Sequence, residues 1–192
     1  PTLAEMVKHA KLDALAIGTR CNLHTPYAIE AAAYDLPLFL EKPVAVSLEQ
    51  AEALERAFEK SRAPVVVSFP LRVSPLCELA RKYVADGAVG TPLHAQAVNY
   101  VPYGTIYWEE LYRDYEVTGG LFLQKATHDF DYMMYLMGCN VTRIGAMWTR
   151  QRVFGGDKPK DFRCSVCGER ETCLESPLNR KRNSSGGDKD HL

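Results

Sequence analysis

The tripeptide Glu41-Lys42-Pro43 places a charged pair and a proline directly after an apolar run at residues 36–40. If that run is a parallel strand, the tripeptide stands at its carboxyl end, where open α/β sheets bind their ligands. Pro43 fixes a φ angle and has no N–H, and Glu41 favours the charged form of the neighbouring lysine. The pattern predicts an oriented ammonium group at a ligand site, and an ordinary surface ion pair is the alternative.

A second candidate group surrounds His128. Gln124, His128 and Asp131 are spaced by four and then three residues, so a helix would place them on one face. A histidine beside a carboxylate can be held in one tautomer and can exchange a proton near neutral pH. Lys125 adds positive charge next to this face. A capped helix entry with a hydrogen-bonded His–Asp pair would show the same pattern.

Thr19 and His24 flank a polar turn that follows an earlier apolar run at residues 13–19. In a parallel sheet this turn lies on the same edge as Lys42, so both residues are candidates for cofactor binding. The turn could equally cap the following helix, and the spacing alone does not separate the two roles.

Three apolar runs, at residues 13–19, 36–40 and 64–69, predict strands, with helical patterns at residues 24–34 and from Ser47 onward between them. Ser47 and Gln50 have the spacing of a capping box. This order predicts a parallel, doubly wound sheet. Only a helix at residues 2–11 precedes the first strand, without a G-x-G-x-x-G turn, so we expect an internal piece of a protein whose Gly-rich N-terminal unit is absent.

The sequence changes character near residues 69–74, which predicts one domain at 1–70 and another at 71–192. Ser74-Pro75 begins a helix that ends near Gly87, and a helix at residues 126–136 ends at Gly138. Residues 93–101 and 141–149 are predicted to be strands. Residues 155–192 form a polar, cysteine-containing insertion.

Cysteine spacing in that insertion raises the question of a metal. Cys164 and Cys167 have the spacing of a zinc half-site, and Cys173 follows. A fourth ligand could come from His191, from Cys139 or from a residue beyond Leu192. The alternatives are a structural clip and a small zinc-bound module for protein contact. Because no signal peptide is visible, the six cysteines favour reduced thiols and a cytoplasmic location.

Composition excludes two classes of partner. The net charge is −1, so the chain offers no basic field for nucleic acid or an anionic membrane surface. No apolar run approaches the roughly 20 residues that a membrane-spanning helix needs. The sequence therefore predicts neither a nucleic-acid nor a membrane partner.

Taken together, the T-x4-H, E-K-P and G-G…H-x-x-D patterns resemble the glucose–fructose oxidoreductase/inositol dehydrogenase (Gfo/Idh/MocA) family. The resemblance covers roughly residues 3–149 and includes the run at 13–19, Arg72, and the segment at 86–92. The E-K-P tripeptide and the histidine block at this separation are its specific parts.

The resemblance implies a partial Rossmann-type parallel sheet that binds NAD or NADP, followed by part of an α+β domain with an open, mostly antiparallel sheet. The implied activity is hydride transfer between the nicotinamide and a hydroxyl of a sugar, cyclitol or related polyol, in a protein that is a homo-oligomer at full length. Lys42 would lie beside nicotinamide and substrate, and His128 would accept the hydroxyl proton. The implied cofactor-binding residues are Thr19, His24, Glu41, Lys42 and Pro43. The implied substrate-binding residues are Arg72, Gln124, Lys125 and His128.

The sequence departs from the family at Gln124, where Asp or Glu is usual. An amide cannot ionise or take a proton, so any two-group acid–base scheme that uses this position loses one member, although Lys42 and His128 could still serve together. A paralogue that binds a nucleotide or sugar without turnover is therefore the alternative. The 192-residue chain alone is expected to be inactive and to hold dinucleotide weakly, because the Gly-rich phosphate loop is not in it.

Four aromatic residues could form a sugar-stacking wall, with core packing or a subunit interface as the alternative. They are Tyr100, Tyr103, Tyr107 and Trp108.

Overall fold

The sheet consists of three parallel strands in the order β1-β2-β3, as the sequence predicts. The computed structural model describes residues 2–101, 112, 114–148, 158–159, 162–173 and 176–179. The strands are β1 (Leu15–Ile17), β2 (Leu38–Glu41) and β3 (Val65–Ser68). Leu15 pairs with Leu38, and Leu38 pairs with Val65, so the carboxyl ends of all three strands meet at one edge. That edge carries the predicted site residues of the first two strands.

Six α-helices have both ends within the described residues: α1 (Leu3–His9), α2 (Cys21–Ala31), α3 (Leu48–Phe58), α4 (Pro75–Ala85), α5 (Tyr115–Thr118) and α6 (Leu121–Met137). Three 3-10 turns add Ala32–Tyr34, Pro70–Val73 and Cys164–Val166. Helix α2 begins three residues earlier than the sequence predicts. Ser74 caps α4, and Gly138 ends α6 in the left-handed conformation, as predicted. No helix in the described ranges is long and apolar enough to cross a membrane.

The core lies between the sheet and α2. Leu15, Leu38 and Leu40 are buried on the strands and contact Ala28 and Ala31 of α2. The small side chains of α2 allow the helix to lie close to the sheet, so the start of α2 is fixed beside the carboxyl ends of β1 and β2. Leu54 and Phe58 of α3 pack against the same cluster and are partly buried.

Gln50 connects α3 to the loop that follows β2. The Gln50 backbone N–H donates to Ser47 Oγ at 3.2 Å, which is the predicted cap. Its side chain departs from the capping-box pattern: Oε1 accepts from the Val46 N–H at 3.0 Å, and Nε2 donates to the Asn22 carbonyl at 3.3 Å. The glutamine therefore holds residues 44–46 against α2 instead of completing the cap of its own helix.

The described residues up to Asn140 pack as one compact unit, and those from Val141 onward form a second. The strands predicted at residues 93–101 and 141–149 are not formed in the described part of those segments. A strand requires a hydrogen-bonding neighbour, and within the described ranges neither segment is paired in a sheet. The alternation of apolar residues at 93–101 indicates a segment that could join a sheet, but it does not indicate which strand would pair with it.

Gly119 brings the turn before α6 close to the loop after β2, and its φ angle is +68°. A Cβ at this position would lie 2.7 Å from Leu123 Cδ2 and 3.0 Å from the Val46 carbonyl oxygen. Gly87 has a similar φ angle of +76° with nothing within 4 Å of an added Cβ. The two glycines thus share a backbone conformation and differ only in their surroundings.

We expect Gly87→Ala to lower the free energy of unfolding by about 1–2 kcal/mol through the left-handed backbone alone. Gly119→Ala should cost a further ~1–3 kcal/mol, because the methyl group must displace backbone as well as the Leu123 side chain. Urea unfolding of the two variants measures the difference. Equal losses would show that the approach of Gly119 to Val46 does not constrain the fold.

Candidate functional site

Lys42 lies at the carboxyl end of β2, and its side chain reaches α6. Its Nζ donates to the Gln124 carbonyl oxygen at 2.9 Å and to Gln124 Oε1 at 2.5 Å. Its own N–H donates to Glu41 Oε2 at 3.2 Å, and the Lys42–Pro43 peptide bond is cis. The structure therefore brings together two residues that are 82 positions apart in the sequence.

His24 is buried within α2 and bridges the ends of two strands. Its Nδ1 lies 2.8 Å from the Pro43 carbonyl oxygen, and its Nε2 lies 3.0 Å from the Thr19 carbonyl oxygen. The next residue, Thr25, donates its hydroxyl proton toward the Val44 carbonyl oxygen at 2.8 Å. Helix α2 thus binds consecutive carbonyl groups of the loop that carries Lys42, which fixes the direction in which the lysine leaves β2.

Cofactor binding and helix capping were the two roles considered for the turn that follows Thr19, and the contacts of the turn bear on the second. Arg20 is the N-cap residue of α2 and makes no side-chain cap, and the Thr19 hydroxyl lies 3.4 Å from the Arg20 carbonyl oxygen. The turn therefore supplies the N-cap residue of α2 but no side-chain cap hydrogen bond from that residue. His24 acts through backbone carbonyl groups and is enclosed, whereas Thr19 is exposed at the strand edge.

Gln124 is 2% exposed and connects Lys42 to Cys21. Its Nε2 faces Cys21 Sγ as the donor, while its Oε1 accepts from Lys42. Cys21 is the first residue of α2 and is itself buried. The sequence patterns described above assign no role to Cys21. Its position two residues after Thr19, at the end of the same strand, was the signal that places it at the site.

His128 lies one helical turn beyond Gln124 on α6. Its ring meets Phe69 edge to face, with centroids 6.1 Å apart. Nδ1 is buried and makes no hydrogen bond to the described residues. An enclosed imidazole nitrogen without a protein partner is suited to exchange a proton with a bound molecule.

Positive charge and burial act together on the two candidate catalytic groups. Burial lowers the pKa of His128 below its usual value, and the ammonium groups of Lys42 and Lys125 lower it further. Burial also lowers the pKa of Lys42, with Lys125 adding to the effect, while Cys21 and Glu41 oppose it. Both shifts favour the uncharged base, which is the form that accepts a proton.

Arg72 forms a bidentate ion pair with Asp131 of α6. Its Nε and Nη2 donate to the two carboxylate oxygens at 2.8 and 2.6 Å. The guanidinium also lies over the Tyr135 ring, 5.2 Å from the centroid, and Arg81 of α4 lies 5.6 Å from the same centroid. These contacts attach the 3-10 turn after β3 and helix α4 to α6, so they set where His128 stands.

Comparison with known proteins decides the family. A model described as "Oxidoreductase family, NAD-binding Rossmann fold" matches residues 1–69, and one described as "GFO/IDH/MocA C-terminal domain" matches residues 77–171. The chain belongs to the GFO/IDH/MocA oxidoreductase family.

Two curated relatives and one solved structure show the extent of the likeness. The scyllo-inositol 2-dehydrogenase (NAD(+)) of Bacillus subtilis strain 168 is 26% identical over 73% of this chain and 40% of its own length. The levoglucosan dehydrogenase of Pseudarthrobacter phenanthrenivorans is 28% identical over 75% of this chain and 41% of its own. A levoglucosan dehydrogenase structure, in complex with NADH and levoglucosan, is 28% identical with a TM-score of 0.58, and the match covers 70% of this chain and 37% of that one.

The chain spans less than half the length of these relatives. The fold class that the sequence predicts, a Rossmann-type parallel sheet in an α/β chain, is confirmed by the family model and by the three strands.

The cysteines predicted as zinc ligands are not grouped into a metal site among the described residues. Cys164 is exposed, and Cys167 and Cys173 are partly exposed, each with a free thiol. Among the described residues, no three His, Cys, Asp or Glu side chains are grouped so that they could hold a metal ion. His191, offered as a fourth ligand, lies outside the described residues, and so do Tyr103, Tyr107 and Trp108. Tyr100 is exposed.

Proposed function

We propose that the whole protein containing this chain is a nicotinamide-dependent dehydrogenase acting on a hydroxyl of a sugar, cyclitol or related polyol. The observation that carries the proposal is that Lys42 is anchored on α6 at Gln124, one helical turn before His128, whose buried Nδ1 has no hydrogen-bond partner among the described residues. The relatives named for scyllo-inositol and levoglucosan support the substrate class.

The residues at the strand ends fit a nicotinamide cofactor, NAD or NADP. His128 Nδ1 is an enclosed polar atom without a partner in the described residues, which a bound molecule would satisfy. Thr19, His24, Glu41, Lys42 and Pro43 belong to the edge where the family's cofactor binds, with Thr19 and Lys42 as direct contacts and His24 acting through the carbonyls it holds. The cofactor supplies the redox chemistry, and the protein supplies orientation and proton transfer.

Within this site, His128 accepts the proton of the substrate hydroxyl at Nδ1, and Lys42 orients the same oxygen. The lowered pKa of His128 keeps the imidazole neutral and able to accept near neutral pH. Lys125 places positive charge beside the developing alkoxide. Of the other proposed substrate-binding residues, Gln124 acts through Lys42, and Arg72 acts through Asp131 unless it exchanges this partner for substrate.

Several coarser features belong to the same proposal. The cofactor domain comprises residues 1–70 and the substrate domain begins at 71. The whole protein is a homo-oligomer in the cytoplasm.

Lys42→Met should lower kcat by about 10²–10⁴, because the methionine keeps the chain length but cannot orient a hydroxyl by charge or hydrogen bond. The assay is reduction of NAD or NADP by the whole protein across a panel of inositols, aldoses and anhydrosugars. Lys60→Met, at an exposed lysine, is the matched control and should retain full turnover. Unchanged turnover in Lys42→Met would remove this lysine from the mechanism.

A second candidate function is binding of nucleotide or sugar without turnover. Gln124 favours it, because an amide stands where the family usually has an acid. Tight NAD binding by the whole protein, together with no turnover of any panel member, would establish this second function and exclude the first.

A further inference from the structure

The side chain of Gln124 is bound at both ends of its amide group. Oε1 accepts from Lys42 Nζ, and Nε2 donates to Cys21 Sγ. A lysine ammonium can only donate, so the amide oxygen must face Lys42 and the NH2 group must face the sulfur. The two partners therefore determine one orientation of the amide.

Cys21 is well placed to fix that orientation. Because it is the first residue of α2, its backbone is held at the start of an 11-residue helix, and its side chain is 7% exposed. The sulfur acts as the acceptor in this contact, a role that a hydroxyl could also take and a methyl group could not. The contact joins residues that are 103 positions apart, so the end of β1, the end of β2 and α6 meet at one amide.

We propose that Cys21 and Gln124 are positioning residues that hold Lys42 Nζ in the site through a neutral hydrogen-bonded relay, without a counter-charge from α6. The inference rests on the proposed function for the importance of Lys42, but the relay itself does not depend on turnover. Its consequence is that α6 anchors the lysine by dipoles alone.

The charges around Lys42 show what this neutrality does. Lys125 on α6 disfavours the ammonium form, and Glu41 on β2 and Cys21 on α2 favour it. His128 on α6 faces the same lysine. Gln124 is neutral, so it does not counteract the effect of burial, which lowers the pKa of Lys42. The pKa of Lys42 therefore stays below its usual value. A carboxylate at position 124 would reverse this, since an opposite charge within about 4–6 Å typically raises a lysine pKa by one unit or more.

Competitive acetylation tests the relay without any need for turnover. Acetic anhydride reacts only with the neutral amine, so the labelling rate of Lys42, measured by mass spectrometry relative to exposed Lys60, reports its protonation. At about pH 8 we expect Gln124→Glu to lower the relative labelling of Lys42 tenfold or more, because one pKa unit changes the neutral fraction about tenfold. Gln124→Met, which keeps the volume and removes the amide, should raise it.

Controls separate this effect from damage to the fold. Gln96→Glu introduces the same charge at an exposed position and should leave Lys42 labelling unchanged. Partial unfolding would raise labelling in every variant, so a decrease in Gln124→Glu cannot come from loss of structure. Unchanged labelling of Lys42 in Gln124→Glu would overturn the proposal, and so would equal decreases in Gln124→Glu and Gln96→Glu.

The role of Cys21 is tested in the whole protein by separating kcat from KM. Cys21→Ala should lower kcat severalfold with little change in the KM for cofactor, and Cys21→Ser should restore it because the hydroxyl can accept from the amide. If Ser fails to rescue while Ala is impaired, Cys21 only fills space. If no panel substrate turns over although the labelling shifts hold, the proposed function fails and the relay stands.

Discussion

His128→Gln in the whole protein is expected to reduce kcat by about 10²–10⁴, the usual contribution of a positioned acid–base group. Glutamine preserves size and hydrogen bonding, but it cannot take a proton. The wild-type pH profile should carry the signature of the same group. Burial and the positive charges of Lys42 and Lys125 lower the pKa of His128, so the neutral, proton-accepting form persists below the usual titration range near pH 6.5.

The sign of the pH dependence follows from the protonation state that the reaction needs. As the pH falls through the lowered pKa, the imidazole is protonated and kcat/KM declines, so the acidic limb of the profile lies below about pH 6.5. In His128→Gln this limb should disappear while the residual rate stays low. His9→Gln, at an exposed histidine of α1, should leave both rate and profile unchanged. An acidic limb that survives in His128→Gln would assign proton transfer to another group.

The parallel sheet was predictable because its signals are local. Apolar runs of strand length, separated by helical segments, constrain the topology, since the crossover connections allow few alternatives. Register and order then place Lys42 and Thr19 at one edge, as the sequence predicts. The strand predicted at residues 93–101 is not formed, because alternation indicates a surface that could join a sheet, and none of the described strands pairs with it.

The contacts of the site were less accessible to sequence reasoning because they join distant residues. The 124, 128 and 131 spacing predicts a shared face of α6, yet nothing in the spacing shows that Gln124 binds Lys42 and Cys21 while Asp131 binds Arg72. The amide is unremarkable in a helix by itself. Its role depends on the Cys21 thiol and the Lys42 ammonium group, which tertiary packing brings to it, including the packing of α2 against α5.

Arg72 illustrates how a side-chain partner changes an assignment. Sequence resemblance places it among the substrate-binding residues, and this stays a prediction. In the structure the guanidinium is 44% exposed and joined to a carboxylate that is only 6% exposed. The pair is therefore asymmetric: water can solvate Arg72 if its partner is lost, but it can hardly reach Asp131.

This asymmetry predicts the second large effect. Arg72→Ala should lower the free energy of unfolding by about 2–3 kcal/mol, because it leaves a buried carboxylate without its charged donors. Asp131→Ala should cost about 1 kcal/mol less, since the remaining guanidinium can turn to solvent and keep its contact with Tyr135. Urea unfolding of both variants and of the double variant measures the two losses and their coupling.

The double variant shows which effect determines stability: the attraction between Arg72 and Asp131, or the cost of leaving one of the two charges buried and unpaired. With both groups removed no buried charge is left, so Arg72→Ala/Asp131→Ala should be more stable than Arg72→Ala alone. A larger loss in Asp131→Ala than in Arg72→Ala would contradict the exposure argument. All three variants should also lower kcat, because the bridge, Tyr135 and Arg81 fix the helix that carries His128. A variant that loses stability but keeps full kcat would show that α6 is positioned through Gln124 and Gly119 instead.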